Sequence, residues 1–416
     1  MEVELVTGRF LLFLGNRSAK IVSVLGGALL ALMLATTAGA EPIYPVPDPD
    51  PFYAAPGDME AHQPGDVLSV RALPPVAVFP GATITLVKFR STNSDDAPIA
   101  ATTTIITPPG HQPDAPILSY QHFINSLGTG CAVSHLLYAN DPNLLMTASI
   151  LNAALAQGWS VALPDHLGPN FAFGAARLGG RIVLDGVRAA KRLPELAAGH
   201  SPVVLAGYSG GGMATGWAAA LQPSYAPELK LEGAAIGGAP MNMVTMAQVL
   251  GFDPHPVFGL AMAVAIGLER EYPHRLPISS YLNERGLAVR NSMANGCTNQ
   301  IIVTGAGGSA AEYATDTAGF DVGAGQSVLE ENSLELYNGV PEIPVFEWHS
   351  PYDPLIPIPA IDNTDRRWCA AGVRVQTLQV PAPEHLSSAV LGAPEALMWL
   401  NDRVHGEPAP STCGTI

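Results

Sequence analysis

Charge is scarce in this chain, and positive charge scarcest. Only 13% of its 416 residues are charged, and 20 lysines and arginines face 36 aspartates and glutamates. With a formal net charge of −16 and no basic run or recognition module, there is nothing to displace counterions from a phosphate backbone, so nucleic acid is excluded as a partner. Cysteine is sparse too. The four present, Cys131, Cys297, Cys369 and Cys413, contain no Cys-x-x-Cys spacing, so a zinc site is not expected. No internal repeat is evident, which sets repeat arrays aside.

Long apolar runs are also missing, apart from "IVSVLGGALLALMLA" at residues 21–35. Arg9, Arg17 and Lys20 precede it, and "TTAGA" follows, ending in Ala38-Gly39-Ala40 just before Glu41. A basic region, a short apolar run and an Ala-x-Ala-like site define a secretory signal peptide over residues 1–40. An uncleaved membrane anchor is the alternative, against which the run is short. Cleavage would leave a mature chain of net charge −17, since the removed piece has three basic and two acidic residues. Export, to the medium or the cell envelope, makes two disulfides the expectation, with three connectivities open.

What is abundant is apolar and turn-forming: 48% hydrophobic residues, 42 glycines and 38 prolines. That suits a compact, loop-rich globular protein. Residues 41–66, opening "EPIYPVPDPDPFYAAPGD", read as a proline-rich leader extended over the surface. "GATITLVKFRST" and "IAATTTIITPP" read as strands joined by the polar turn "NSDDAP". Strands and helices then alternate. "APILSYQHF", "WSVALPD", "PVVLAGYS" and "LEGAAIGGAP" are strand-like, and "LMTASILNAALAQG" and "GGRIVLDGVRAAKRLPEL" are helical between them. "VFEWHS", a helix in "IDNTDRRWCAAG", "VRVQTLQV" and a last helix around "PEALMWLNDRV" resume the series. Such alternation predicts an α/β fold, a mostly parallel sheet covered on both faces. The core would occupy residues 67–240 and 340–416. Residues 241–339 break the pattern and predict a mainly helical cap inserted over the carboxyl ends of the strands. Its stretch "HPVFGLAMAVAIGLEREYP" is too short to span a bilayer and serves equally as a packing helix or as part of that cap.

One turn stands out for chemistry. In "VVLAGYSGGGMATGWAAAL" an apolar strand runs through Gly207, Tyr208, Ser209, Gly210 and Gly211 into a small-residue helix. A Gly-x-Ser-x-Gly turn between strand and helix is sharp and strained, and side chains at Gly207 and Gly211 would meet neighbouring backbone. Ser209 would stand above the sheet at the amino end of a helix, where developing negative charge is favoured. A serine hydroxyl needs a histidine base and an orienting carboxylate. On such a sheet these follow in the order Ser, Asp or Glu, His. Asp353 follows the strand "VFEWHS" and His385 follows "VRVQTLQV", each in a loop at a strand end. His349 is the rival base, expected in the wall of its strand, and Glu384 the rival carboxylate, badly placed beside His385. For the oxyanion, one donor is expected from the amide of Gly210 and another from the loop at residues 123–126.

The segments "DPFYAAP", "SYQHFINSLGTGCAVSH", "GWSVALPDHLGP", "GYSGGGMATGWAAAL", "WHSPYDPLIP" and "EHLSSAVLG", in this order, resemble the secretory lipases of fungi and actinobacteria along nearly the whole mature chain. The resemblance implies an α/β-hydrolase fold with a helical cap and a triad of Ser209, Asp353 and His385. It also implies Gly210 and Asn125 as the oxyanion hole, and disulfides Cys131–Cys297 and Cys369–Cys413. The family usually has aspartate where Asn125 stands, and its "CAPS" reads Cys131-Ala132-Val133-Ser134 here. The chain stops three residues after Cys413, so a C-terminal flap over the site is expected to be absent and control at a lipid–water interface to rest on the cap.

The expectation is an exported serine ester hydrolase acting on lipid or small acyl esters, without cofactor, metal or required protein partner. A triacylglycerol lipase is the leading form. A short-chain carboxylesterase or an envelope acyltransferase would use the same residues, and a non-catalytic lipid-binding protein would not use them.

Overall fold

Alternating β-branched and small residues in β2 (Thr83–Thr92) and β3 (Pro98–Thr107) build a long antiparallel hairpin. Asn93 closes its turn by accepting from the amides of Asp95 (3.0 Å) and Ala97 (2.8 Å). The hairpin begins a nine-stranded sheet of order β1-β2-β3-β5-β4-β6-β7-β8-β9. The computed structural model describes residues 40–315 and 324–415. The expected signal peptide therefore lies outside the described residues, except for Ala40. From Pro42 onward the described residues form one compact unit.

The edge strand β1 (Val67–Leu73) is antiparallel to β2. It was not among the strands expected, because its half-exposed "VLSVRAL" follows a leader rich in proline and carries little apolar periodicity. From β5 (Ser160–Pro164) through β4 (Ile117–Gln121), β6 (Val203–Tyr208), β7 (Gly233–Gly237), β8 (Val345–His349) and β9 (Val375–Gln379), every pairing is parallel. All residues of the five strands β4 to β8 are buried, as a sheet covered on both faces requires.

Helices make the crossovers. α1 (Pro142–Ala156) joins β4 to β5, α2 (Ala176–Lys191) joins β5 to β6, and α3 (Gly210–Tyr225) joins β6 to β7. The period-two alternation of β6 separates the two faces. Gly207 looks onto α3, while Ala206 and Tyr208 share a small hollow with α1 and the last helix.

Between β7 and β8 the described residues hold helices α4 (Met243–Leu250), α5 (Phe258–Glu271), α6 (Glu284–Met293), α7 (Thr298–Gly305) and α8 (Ala324–Glu331), with shorter turns between them. Helix α9 (Ile358–Ala370) lies between β8 and β9, and α10 (His385–Val404) follows β9. Among the described residues no helix is long and apolar enough to cross a membrane.

Two expectations need correction. The leader does not merely lie extended on the surface. It makes 3₁₀ turns at Pro51–Tyr53 and Met59–Ala61 and buries Phe52 and Met59. Phe52 sits beneath the Arg71 guanidinium, 4.5 Å from ring centroid to Cζ. The last helix starts nine residues before "PEALMWLNDRV" and continues through Pro394. Its start is dictated by Glu384, whose carboxylate accepts from the amides of Leu386 (2.8 Å) and Ser387 (2.6 Å) as an N-cap. The structure pairs Cys131 with Cys297 and Cys369 with Cys413, the connectivity the resemblance implies.

Candidate active site

Strand β6 passes into α3 through a single residue. Ser209 has φ 56° and ψ −124°, a region that a residue with a β-carbon occupies at a cost of order 1–3 kcal/mol. The surrounding backbone enforces it. The Ser209 amide donates to the Gly237 carbonyl (2.8 Å), and its carbonyl accepts from the Met213 amide (2.9 Å). Glycine is required on both sides of the turn. A Cβ on Gly207 would stand 2.5 Å from Thr215 Oγ1, and one on Gly211 would overlap the Gln121 carbonyl oxygen. The Ser209 side chain is buried, at the amino end of a 16-residue helix whose dipole favours negative charge nearby.

Asp353 stands in the loop after β8. Its Oδ1 accepts from the amides of Leu355 (2.9 Å) and Ile356 (3.1 Å), and its Oδ2 lies 2.6 Å from His385 Nδ1. The residue thus forms a turn and orients an imidazole at once. Burial opposes its charge, but the His385 bond and charge, with the two amides, outweigh burial and hold the carboxyl below its ordinary value. A carboxylate can only accept, so the shared proton belongs to Nδ1. Nε2 is buried and has no hydrogen-bond partner among the described residues.

His385 is the first residue of α10, not a loop residue as expected. The helix start capped by Glu384 places the ring. Its carbonyl accepts from the Tyr208 hydroxyl (2.6 Å), and the two rings lie 4.9 Å apart. The structure therefore brings Asp353 and His385 together against Tyr208, the neighbour of Ser209. This role for Tyr208 was not anticipated. Both rivals are engaged elsewhere: Glu384 as the cap, and His349, fully buried, with Nδ1 2.8 Å from Glu347 Oε2.

Asn125 comes from the loop after β4 and has φ 39°. Its side chain faces the α-carbon of Gly210, where a Cβ would overlap Oδ1. Ser209, Gly210 and Asn125 border a cavity of about 230 Å³. Its remaining wall is almost wholly apolar, drawn from α4, α5 and the loop after β8, with Gln248, Gln326 and Tyr313 as further polar contributors. The stretch "HPVFGLAMAVAIGLEREYP" contains α5, which both packs inward and borders the cavity. In α5, Ala263 and Ile266 pack inward and are buried, while Ala261, Met262, Val264, Ala265 and Leu268 line the cavity, Met262 and Leu268 being buried as well. Among the described residues no cluster of His, Cys, Asp or Glu is arranged to hold a metal ion.

Sheet order, crossover helices and the strand-to-helix turn at Ser209 make the protein an α/β-hydrolase. Kinship makes it more specific: residues 142–412 match the secretory lipase family, and the chain belongs to that family as a carboxylic ester hydrolase. Lipase 5 of Candida albicans is 33% identical over 93% of this chain and 87% of its own. The secreted triacylglycerol lipase LIP3 of Malassezia restricta is 30% identical over 87% of this chain and 80% of its own. The crystal structure of Candida antarctica lipase A in its closed state superposes with a TM-score of 0.83 at 28% identity, covering 88% of each chain.

Proposed function

We propose that the protein is an exported lipase that hydrolyses lipid acyl esters, triacylglycerols foremost, through an acyl-enzyme on Ser209. The observation that carries this reading is the 2.6 Å contact of Asp353 Oδ2 with His385 Nδ1, seated against the residue before Ser209. Ser209 Oγ attacks the ester carbonyl carbon while His385 Nε2 takes the hydroxyl proton. Asp353 keeps the imidazole in the Nδ1–H tautomer and stabilises the cation. The amides of Gly210 and Asn125 hold the oxyanion, each donor contributing about 2.7–4 kcal/mol to the transition state. Collapse expels the alcohol, which receives the proton from Nε2. Water, deprotonated by the same nitrogen, then attacks the acyl carbon and releases the fatty acid and Ser209.

The apolar cavity beside Ser209 suits an acyl chain, and the helices between β7 and β8 act as the cap that walls it. The Malassezia relative, a secreted triacylglycerol lipase, supports triacylglycerol as substrate and the exterior as the place of work. Two disulfides agree with export. The test is turnover of p-nitrophenyl esters from two to eighteen carbons, with phosphonate labelling and peptide mapping. Long-chain turnover that disappears in Ser209→Ala, with the label on Ser209, is expected. A folded wild-type protein that takes no label at Ser209 would sink the mechanism.

A further inference from the structure

The loop that carries Asn125 is fastened to the helical segment between β7 and β8, not to the sheet beneath it. From Phe123 to Gly128, apart from the local bond of the Cys131 amide to the Gly128 carbonyl (3.0 Å), the hydrogen bonds that tie it to the rest of the described molecule go to three residues of that segment. The Leu127 amide donates to the Gly296 carbonyl (3.0 Å), the Thr298 hydroxyl donates to the Ile124 carbonyl (2.6 Å), and Arg270 Nη1 donates to the Leu127 carbonyl (2.7 Å). The Cys131–Cys297 disulfide reinforces the attachment. At Gly128 the two backbones meet so closely that a Cβ would overlap the Asn295 carbonyl.

Arg270 is the hub of this attachment. It is buried at the end of α5, and among the described residues all its hydrogen-bond partners are main-chain carbonyls. Nε donates to Ile43 (2.8 Å), Nη1 also to Asn170 (3.0 Å) and Phe171 (3.2 Å), and Nη2 to Ala294 (2.8 Å). Five carbonyls from four separate stretches of chain converge on one planar fork. A lysine ammonium has three donors on a flexible stem and cannot reproduce that geometry. Burial lowers the guanidinium pKa to about 10, with Tyr44 and Glu269 opposing the fall, so the group remains a cation at neutral pH. The same helix lines the cavity through Val264, Ala265 and Leu268.

We propose that Arg270 is a positioning residue for ester hydrolysis: it locks the Asn125 loop to the helix that walls the acyl cavity, so that acyl seat and oxyanion amide are set by one body. This rests on the reading of Ser209 as nucleophile and Asn125 as oxyanion donor. An amide displaced by about 1 Å costs on the order of a hundredfold in rate, without changing what holds the acyl chain. The distinctive signature is thus a fall in kcat with KM retained.

The experiment measures kcat and KM for p-nitrophenyl butyrate in wild type, Arg270→Lys and Thr298→Val, per active site titrated with phosphonate. Arg270→Lys is expected to lose at least about tenfold in kcat with KM within about twofold, and its phosphonylation should slow by the same factor. Thr298→Val, which removes one hydrogen bond from the same loop, should lose less in the same pattern. A purely structural role would lower the melting temperature and leave kcat per titrated site unchanged, and that result overturns the proposal. If Arg270→Lys does not fold, wild-type kcat in Thr298→Val overturns it instead. A wild-type protein inert to both ester and phosphonate would remove the Ser209 reading itself, an outcome distinct from an active wild type with an equally active Arg270→Lys.

Discussion

Neighbouring glycines after Ser209 meet different obstacles, and that difference is measurable. A methyl group at Gly211 would overlap the Gln121 main-chain carbonyl at the end of β4, which cannot move without disturbing the sheet. Gly211→Ala is therefore expected to lose about 1–3 kcal/mol in urea unfolding. At Gly210 the obstacle is the far end of the Asn125 side chain, which can swing aside. Gly210→Ala should unfold within about 1 kcal/mol of wild type yet lose most of its esterase activity, because the added methyl group and the displaced Asn125 side chain crowd the cavity beside the Gly210 amide. Equal stability losses in the two variants would refute the distinction. His122 supplies a prediction in pH. It is wholly buried with neither ring nitrogen partnered, and burial, helped by His166, lowers its pKa from 6.5 to about 3. The native ring stays neutral while the unfolded chain takes a proton below 6.5. The stability it contributes is complete above that value and is lost as the pH falls toward 3, at up to about 1.4 kcal/mol per pH unit. His122→Phe should flatten the curve, losing about 2 kcal/mol less than wild type between pH 8 and pH 5. Urea unfolding at those two values checks it, and an unchanged difference would contradict the assignment.

Among the elements, α5 illustrates how one helix serves two masters. Its "FGLAMAVAIG" is apolar on every side because one face packs into the core and the other borders the cavity, so hydrophobicity alone could not reveal its duty. Ala265 lies on the cavity face. Ala265→Trp is expected to fill the space, cutting turnover of esters of twelve or more carbons by at least about tenfold while acetate turnover stays within about threefold, since lost chain burial scales with buried methylenes. Parallel losses across the ester series would show that the acyl chain does not lie there. The charged end of the same helix, "ERE", held an unused signal. Three consecutive charges ending an apolar helix are costly to bury unless each finds partners. Glu269 accepts from the amide and hydroxyl of Ser279, Glu271 from the amide of Ser94, and Arg270 donates to its five carbonyls. At α10 the cap residue was read only as a rival carboxylate, because a proline nine residues inside the helix masked its true beginning.

At the scale of the whole molecule, the two disulfides differ in reach. Cys131–Cys297 closes 166 residues and Cys369–Cys413 closes 44. By chain entropy, the first should stabilise by about 5 kcal/mol and the second by about 4. Paired alanine substitutions followed by urea unfolding would test that order, and a larger loss at Cys369–Cys413 would reverse it. Much of the architecture was legible because its signals are local. Strand-to-helix alternation, the turn at Ser209 and the loop position of Asp353 each depend on residues adjacent in sequence. Strand β1 was not legible, since an edge strand half open to solvent needs little apolar patterning. Disulfide connectivity could not be chosen by spacing, and Arg270 could not be recognised, because its acceptors lie in stretches as distant as Ile43 and Ala294.

The sequence by itself therefore determined the layered α/β plan and the glycine turn that carries Ser209, since periodicity and backbone sterics act over a few residues. Tertiary structure alone decided that His385 rests on Tyr208. It also decided that the Asn125 loop is held by helices more than 140 residues downstream. Main-chain carbonyls carry no residue identity, so a buried guanidinium that gathers five of them leaves its partners unwritten in the chain until folding brings them together.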